Sequence, residues 1–256
     1  MALYQVKIAY DGTHFFGFQR QGNVRTVQLE IENVLYQLGW KGTSILAAGR
    51  TDTGVHASGQ VISYEIDWSH SCEAMLRAMN AKLPEDIAVN AVKLANDDFH
   101  PRFDAISRCY HYHIYSQSHR DPLKDRYAWC VWPAFSVDKI ESASKLLLGT
   151  HNFSAFGSPP IKGGHANRTV ISSEWLQIGL NEWVYKIRAN AFLYHMVRRL
   201  VFLLVKIGQG YWAEEKFIQG IKNQLPQMSG LAKPNGLNLF EVQYQELEKN
   251  NFEKDN

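Results

Sequence analysis

Apolar and polar residues alternate from Tyr4 to Tyr10, and Asp11-Gly12 follows, so this segment predicts a half-buried strand ended by a turn. Val27, Ile31, Val34, Leu35 and Leu38 recur at helical spacing and stop at Gly39, which predicts a helix. Ile45-Leu46 and Val61 to Ile66 predict strands flanking a polar, glycine-bearing loop. Cys72, Met75, Leu76 and Met79 mark a second helix ended near Pro84, and Ile87 to Leu94 reads as another strand. The same order then repeats. Arg108 to Tyr115 predicts a strand, Val137 to Leu148 a helix closed by Gly149, and Val170 to Ile178 and Trp183 to Ala189 two strands. Phe192 to Ile207 predicts a long helix whose second half is nearly all apolar, followed by a shorter helix over Glu214 to Ile221 and a last strand over Leu239 to Tyr244. The pattern predicts two α+β halves, 1–105 and 106–245, with their strands pooled into shared sheet. No low-complexity or Pro/Ser-rich linker separates them, so they should pack intimately, and the cleft between them is the default place for a site.

Composition narrows the class. The chain of 256 residues is 45% hydrophobic and 20% charged with a mean hydropathy of -0.29, an ordinary globular composition far from that of disordered chains. Its longest uniformly apolar run, Leu200 to Val205, is far shorter than the about 20 residues of a membrane span. Met1 to Lys7 shows no basic region leading into an apolar one, so the cytoplasm is the expected compartment. Cys72, Cys109 and Cys130 are odd in number and widely spaced, which argues against a disulfide framework. The net charge of +2 does not by itself announce a polyanionic partner, although Glu246, Glu248, Glu253 and Asp255 of the tail subtract from a more basic body. This tail, 246–256, is expected to be disordered.

The most unusual stretch is Ala48-Gly49-Arg50-Thr51-Asp52-Thr53-Gly54-Val55-His56-Ala57, which places an arginine, a carboxylate, a histidine and two glycines in one strand-to-strand loop. Gly49 and Gly54 have the spacing of a phosphate loop, but Val55-His56 stands where Lys-Ser/Thr is required, so nucleoside triphosphate binding is not expected. Two readings stay open: a loop that a ligand approaches closely, or a hairpin in which Asp52 makes a turn and pairs with Arg50. Cys109, His111 and His113 alternate and would share one strand face, as metal ligands do, but no partner motif such as HExxH or CxxC completes a set, so no metal is expected. Tyr110 and Tyr112 take the other face, as core or as a platform for a nucleobase. In Asn190 to Arg199, two adjacent arginines open the apolar helix, and at least one should reach for solvent while the other points into the cleft.

The AGRTDTGVHA segment resembles the signature of the TruA family of tRNA pseudouridine synthases. Further blocks agree in order: Tyr10-Asp11-Gly12 with Gly17-Phe18-Gln19-Arg20-Gln21, Asn80-Ala81-Lys82-Leu83-Pro84, Asp98-Phe99-His100, Arg108-Cys109-Tyr110-His111-Tyr112, Asn152-Phe153-Ser154-Ala155-Phe156, Met196-Val197-Arg198 and Gly236-Leu237-Asn238-Leu239. Phe18 stands where the family often has tryptophan, Thr53 where alanine is common, and the loop from Gly157 to Asn167 departs from the pattern. The resemblance implies two ferredoxin-like α+β halves sharing a central, mostly antiparallel sheet with the active-site cleft between them. It implies isomerisation of uridine to pseudouridine at positions 38, 39 and 40 of the tRNA anticodon arm, without cofactor or metal, by a homodimer. It also implies that Asp52 is the nucleophile or base, that Arg198 pairs with it, and that Tyr110, Arg50, His56, Arg168 and Leu239 contact the substrate. A catalytically silent RNA-binding protein and a metal-dependent hydrolase built on the His111 strand are the rival expectations. The first would not require Asp52, Tyr110 and Arg198 together, and the second lacks ligands.

Overall fold

The computed structural model describes residues 1–159, 163–222, 226 and 228–245. The acidic tail expected to be disordered therefore lies outside the described residues, as do 160–162 of the Gly157 to Asn167 loop. The alternating segments form strands β1 (Ala2–Tyr10), β2 (Leu46–Ala47), β3 (His56–Ile66), β4 (Ile87–Leu94), β5 (Ala105–Ser116), β6 (Trp129–Val131), β7 (Gly149–Asn152), β8 (Asn167–Gly179), β9 (Glu182–Ala189) and β10 (Leu237–Tyr244). The segments of helical period form α1 (Val27–Gln37), α2 (Cys72–Asn80), α3 (Val137–Lys145), α4 (Met196–Gly208) and α5 (Glu214–Ile221). Three helices begin where a hydroxyl takes up an otherwise orphaned backbone N–H: Thr26 for Leu29, Ser71 for Ala74 and Ser136 for Lys139.

All the strands belong to one sheet, ordered β4-β1-β3-β10-β5-β9-β8-β7, with β2 paired to β3 and β6 to β5. It is antiparallel except for β10 against β3 and β6 against β5. The central, mostly antiparallel sheet implied by the resemblance is thus present. The strand that comes last in the chain sits at its middle, between β3 and β5, and joins strands of the first part to strands of the second.

Two apolar cores lie on the same face of this sheet. In one, Val27, Ile31 and Leu35 of α1 and Met75 and Met79 of α2 pack on Val6, Ile8, Ile62 and Tyr64. In the other, Leu200, Leu203 and Leu204 of α4 and Ile140 of α3 pack on Tyr112, Ile114, Tyr185 and Ile187. Between them runs a row of directly paired residues crossing five strands: Tyr10, Ala57, Leu239, Tyr110 and Ile187. Directly paired residues project to the same face, so this row floors the junction of the two cores, and Tyr110 packs against both. Among the described residues no helix is long and apolar enough to cross a membrane.

Three differences from the sequence reading matter. Strand β3 starts at His56, not at Val61, because His56 and Ala57 pair with β10, a partner about 180 residues distant that no local pattern reveals. The short strands β6 and β7 are additional, since three or four residues are too few to show periodicity. Helix α4 starts at Met196, not Phe192, because His195 adopts a left-handed backbone with φ 65° that a continuous helix cannot contain.

Candidate active site

The loop 48–55 between β2 and β3 is held from three sides. Tyr10 Oη lies 2.7 Å from Thr51 Oγ1, and the Phe18 N–H donates to the Thr51 carbonyl at 3.0 Å. Gln60 Nε2 donates to the Gly49 carbonyl at 2.8 Å, and buried Arg108 donates from Nη2 to the Ala48 carbonyl at 3.1 Å. The Val55 N–H closes a turn on the Asp52 carbonyl at 3.1 Å, with Gly54 at φ 76°. Gly12 is needed for a different reason: a Cβ there would stand 2.0 Å from the Val55 carbonyl oxygen. Gly12→Ala should therefore push the loop off its seat at a cost of roughly 1 to 3 kcal/mol. A denaturant midpoint equal to that of the wild type, with full turnover, would refute that account.

The turn presents Asp52, whose side chain is 23% exposed, to the start of α4. Arg198 Nη1 donates to Asp52 Oδ2 at 2.9 Å. The same guanidinium donates from Nε to the Ala232 carbonyl at 2.9 Å, while the Ala232 N–H donates to the Arg198 carbonyl at 3.1 Å. This reciprocal pair fixes the arginine through the segment that leads into β10. His195 Nε2 also lies 3.4 Å from Asp52 Oδ2. Asp52 Oδ1 accepts no hydrogen bond from any described residue.

Tyr110 projects from the row beneath this cluster. Its ring meets Phe192 edge-on at 5.1 Å, and its hydroxyl makes no hydrogen bond with any described residue. Burial, reinforced by the negative charge of Asp52, pushes its pKa up to about 12, so it remains a neutral phenol at physiological pH. Leu239, fully buried, is its direct cross-strand partner. Asp52, Arg198, Tyr110 and Leu239 are thus brought to one junction, and the hairpin in which Asp52 pairs with Arg50 does not form. Arg50 is exposed and makes no hydrogen bond or ion pair with a described residue.

Two other residues expected at the site stand apart from the carboxylate. His56 precedes Ala57 on β3 and so projects to the opposite face of the sheet. There it accepts the Gly12 N–H on Nδ1 at 3.0 Å, lies 3.1 Å from Asp11 Oδ1, and helps line a cavity of about 360 Å³ that does not include Asp52. Burial lowers its pKa, against the opposing pull of Asp11. Arg168 is buried, donates to the His165 and Asn167 carbonyls, and forms no ion pair with a described residue. Arg199, one of the pair expected to offer a charge to solvent, is instead buried and donates to the Phe156 carbonyl at 2.8 Å, and Arg198 is only 14% exposed. Neither arginine extends to solvent, and each donates to a backbone carbonyl inside, although Arg199 Nε has no partner among the described residues.

Two contributors escaped the sequence reading. His195 was hidden by the expectation of unbroken helix, and Arg108 by its place beside Tyr110 in a strand, where nothing local shows that it will hold carbonyls of Ala48, Arg102, Ala105 and Asn190. On the other face, His111 stacks on Phe240 at 3.9 Å, and burial lowers its pKa to about 4. Among the described residues no group of three or more His, Cys, Asp or Glu is placed to hold a metal ion.

Comparison with known proteins identifies the family. The tRNA pseudouridine synthase family pattern matches residues 7–104 and 143–245. A tRNA pseudouridine synthase A from an Exiguobacterium species is 35% identical over 242 residues, covering 94% of this chain and 97% of its own. Its counterpart from Pseudothermotoga lettingae is 36% identical over 245 residues, covering 95% and 100%. One from Francisella tularensis subsp. novicida is 35% identical over 251 residues, covering 96% of each chain. Among solved structures, a Cbf5-Nop10-Gar1 complex aligns at 13% identity and a TM-score of 0.37 over 79% of this chain and 45% of the other, a likeness too remote to add to the assignment. On the extent of the family match and of these relatives, the chain belongs to the tRNA pseudouridine synthase family and is an isomerase of tRNA uridine.

Proposed function

We propose that this protein converts uridine to pseudouridine at positions 38, 39 and 40 of the tRNA anticodon arm, with Asp52 as nucleophile or base, working as a homodimer in the cytoplasm. The observation that carries the reading is the Asp52 carboxylate held by Arg198 above the Tyr110 and Leu239 floor at the junction of the two cores. The reaction breaks the N1–C1′ bond, turns the base and forms a C5–C1′ bond. The C5 proton leaves and N1 gains one, so neither redox chemistry nor a group donor enters the balance. The anionic carboxylate acts on the ribose, either by attack at C1′ or by proton removal. Reaching C1′ requires the uridine to leave its stack at a cost of a few kcal/mol. Tyr110 offers an aromatic surface to the flipped base, with fully buried Leu239 packed beside it as its cross-strand partner, and exposed Arg50, with no partner among the described residues, offers a cation to the RNA. Arg168, buried and without a carboxylate among the described residues, is the cation this proposal assigns to an RNA phosphate. His56, on the opposite face of the sheet, is outside the base-contacting set of this proposal.

Incubation of the purified protein with unmodified tRNA transcripts, followed by pseudouridine mapping at single-nucleotide resolution, tests the assignment. Product confined to positions 38 to 40 is expected, and product confined to another arm of the tRNA would overturn it. Light scattering of the free enzyme checks the dimer. Tyr110→Phe keeps the ring and loses only a hydroxyl that has no partner among the described residues, so it should bind tRNA normally. If that hydroxyl handles a proton, its turnover should fall by roughly 100-fold or more. A near wild-type rate, with Tyr110→Ala inactive, would leave stacking as the whole role.

A further inference from the structure

We propose that His195 is a positioning residue that, with Arg198, holds Oδ2 of Asp52, so that Oδ1 is the oxygen that reacts; this rests on the assignment of Asp52 above. Both contacts converge on one oxygen. Arg198 Nη1 is 2.9 Å and His195 Nε2 3.4 Å from Oδ2, whereas Oδ1 accepts nothing from a described residue. Oδ2 accepts one hydrogen bond, from Arg198, and has the His195 nitrogen within reach to donate a second after a small turn of the ring, while Oδ1 keeps its lone pairs for substrate. On the nucleophilic route, an Oδ1 electron pair forms the bond to C1′ while the N1–C1′ pair departs with the uracil anion. On the base route, Oδ1 takes the C2′ proton, the C2′–H pair becomes the C1′=C2′ double bond, and the N1–C1′ pair again departs with uracil. Oδ2 keeps both contacts in either case.

The backbone around His195 is built to aim the ring. A non-glycine residue at φ 65° costs about 1 kcal/mol or more and persists only where its surroundings impose it. The surroundings are on hand. Ser158 and Tyr194 exchange backbone hydrogen bonds, the Tyr194 N–H to the Ser158 carbonyl at 2.9 Å and the Ser158 N–H to the Tyr194 carbonyl at 3.4 Å. Arg199 fastens the neighbouring Phe156 carbonyl, and the Arg199 N–H donates to the His195 carbonyl at 3.0 Å. The Tyr194 ring stacks on the imidazole with centroids 3.6 Å apart. Burial lowers the His195 pKa, and Arg198 and Arg199 add to that effect while Asp52 opposes it. These effects bias the ring toward its neutral form, in which the tautomer carrying the proton on Nε2 is the one able to donate to Oδ2.

The decisive variant is His195→Gly. At a left-handed residue that opens a helix, glycine relieves strain and is tolerated, so a purely structural histidine would be replaced at no loss in stability or turnover. If His195 positions the carboxylate, the variant keeps its thermal midpoint and its tRNA affinity, KM stays within about twofold, and kcat falls about 10- to 100-fold, as expected for losing a donor that closes on a charged group in the substrate complex. His195→Gln, whose amide can donate to Oδ2, should recover part of that loss. Unchanged kcat in His195→Gly overturns the proposal, as does a loss carried by KM or a glutamine variant no better than glycine. Asp52→Asn run alongside keeps the two claims apart: residual full turnover there would sink the assignment of Asp52 itself, whereas full turnover in His195→Gly sinks only the role of the histidine.

Discussion

Asp52→Asn should bind tRNA as well as the wild type and turn over at least about 10,000-fold more slowly, because an amide neither attacks carbon nor accepts a proton at useful rates. The substitution is nearly isosteric, and the asparagine side chain can still accept from Arg198 through its carbonyl oxygen, so loop 48–55 keeps its anchors at Thr51, Gly49 and Ala48. Affinity for a polyanion is expected to rest on cations elsewhere, exposed Arg50 among them under the proposal above. Filter binding or gel shift for affinity and pseudouridine mapping for turnover separate the two quantities. Steady turnover in carefully purified protein would remove Asp52 from the mechanism.

Arg198→Met should harm both activity and stability. The guanidinium is only 14% exposed and links three elements: the Asp52 turn, the first turn of α4 and the Ala232 segment that leads into β10. Its loss leaves a carboxylate without its cation and the Ala232 carbonyl without a donor. Breaking a buried pair costs about 3 to 5 kcal/mol, and the lower end applies here because 23% of the Asp52 side chain still meets solvent. About 3 kcal/mol, if felt in full by the transition state, corresponds to a loss of roughly 100-fold in kcat/KM. Lysine should rescue only in part, since one ammonium cannot reproduce a fork that holds Asp52 from Nη1 and Ala232 from Nε at once. Urea titration and single-turnover rates measure the two effects, and an Arg198→Met enzyme with unimpaired turnover would refute the pairing as a functional contact.

Much of the fold is legible in the chain, and the legible parts share a cause. Val27, Ile31, Val34 and Leu35 all turn one face of α1 to the core, and Thr26 caps it, because helical spacing and capping are properties of neighbouring residues. Strand β4 occupies the very span its pattern predicts, Ile87 to Leu94. The residue types of the AGRTDTGVHA loop left a ligand-approached loop and an Asp52-Arg50 hairpin equally open, and only the family resemblance pointed to it as the centre of the proposed chemistry. What was misread depended on distant partners. The alternation of β3 says nothing of β10, so its first residues, His56 and Ala57, looked like loop. The apolar run after Phe192 looked like uninterrupted helix, because the constraint that turns His195 out of it comes from Ser158, in another part of the chain. Two adjacent arginines at 198 and 199 offered no clue that the carbonyls of Ala232 and Phe156 would wait for them in the interior.

The sequence by itself determined most of the segments that are strands and helices, since propensity and periodicity act over a few neighbouring positions, and its resemblance to a family singled out the loop that carries Asp52. Only the tertiary structure decided which side chains meet that carboxylate. Asp52 and Arg198 are 146 residues apart in the chain, and their contact exists because β10 enters the sheet between β3 and β5 and brings two cores to a common edge. The same arrangement put Tyr110 and Leu239 under the carboxylate and sent His56, a near neighbour of Asp52 in the chain, to the opposite face. Strand pleating divides neighbours in sequence between two sides of a sheet, and long-range pairing unites residues far apart, so proximity in the chain could name the loop but not its partners.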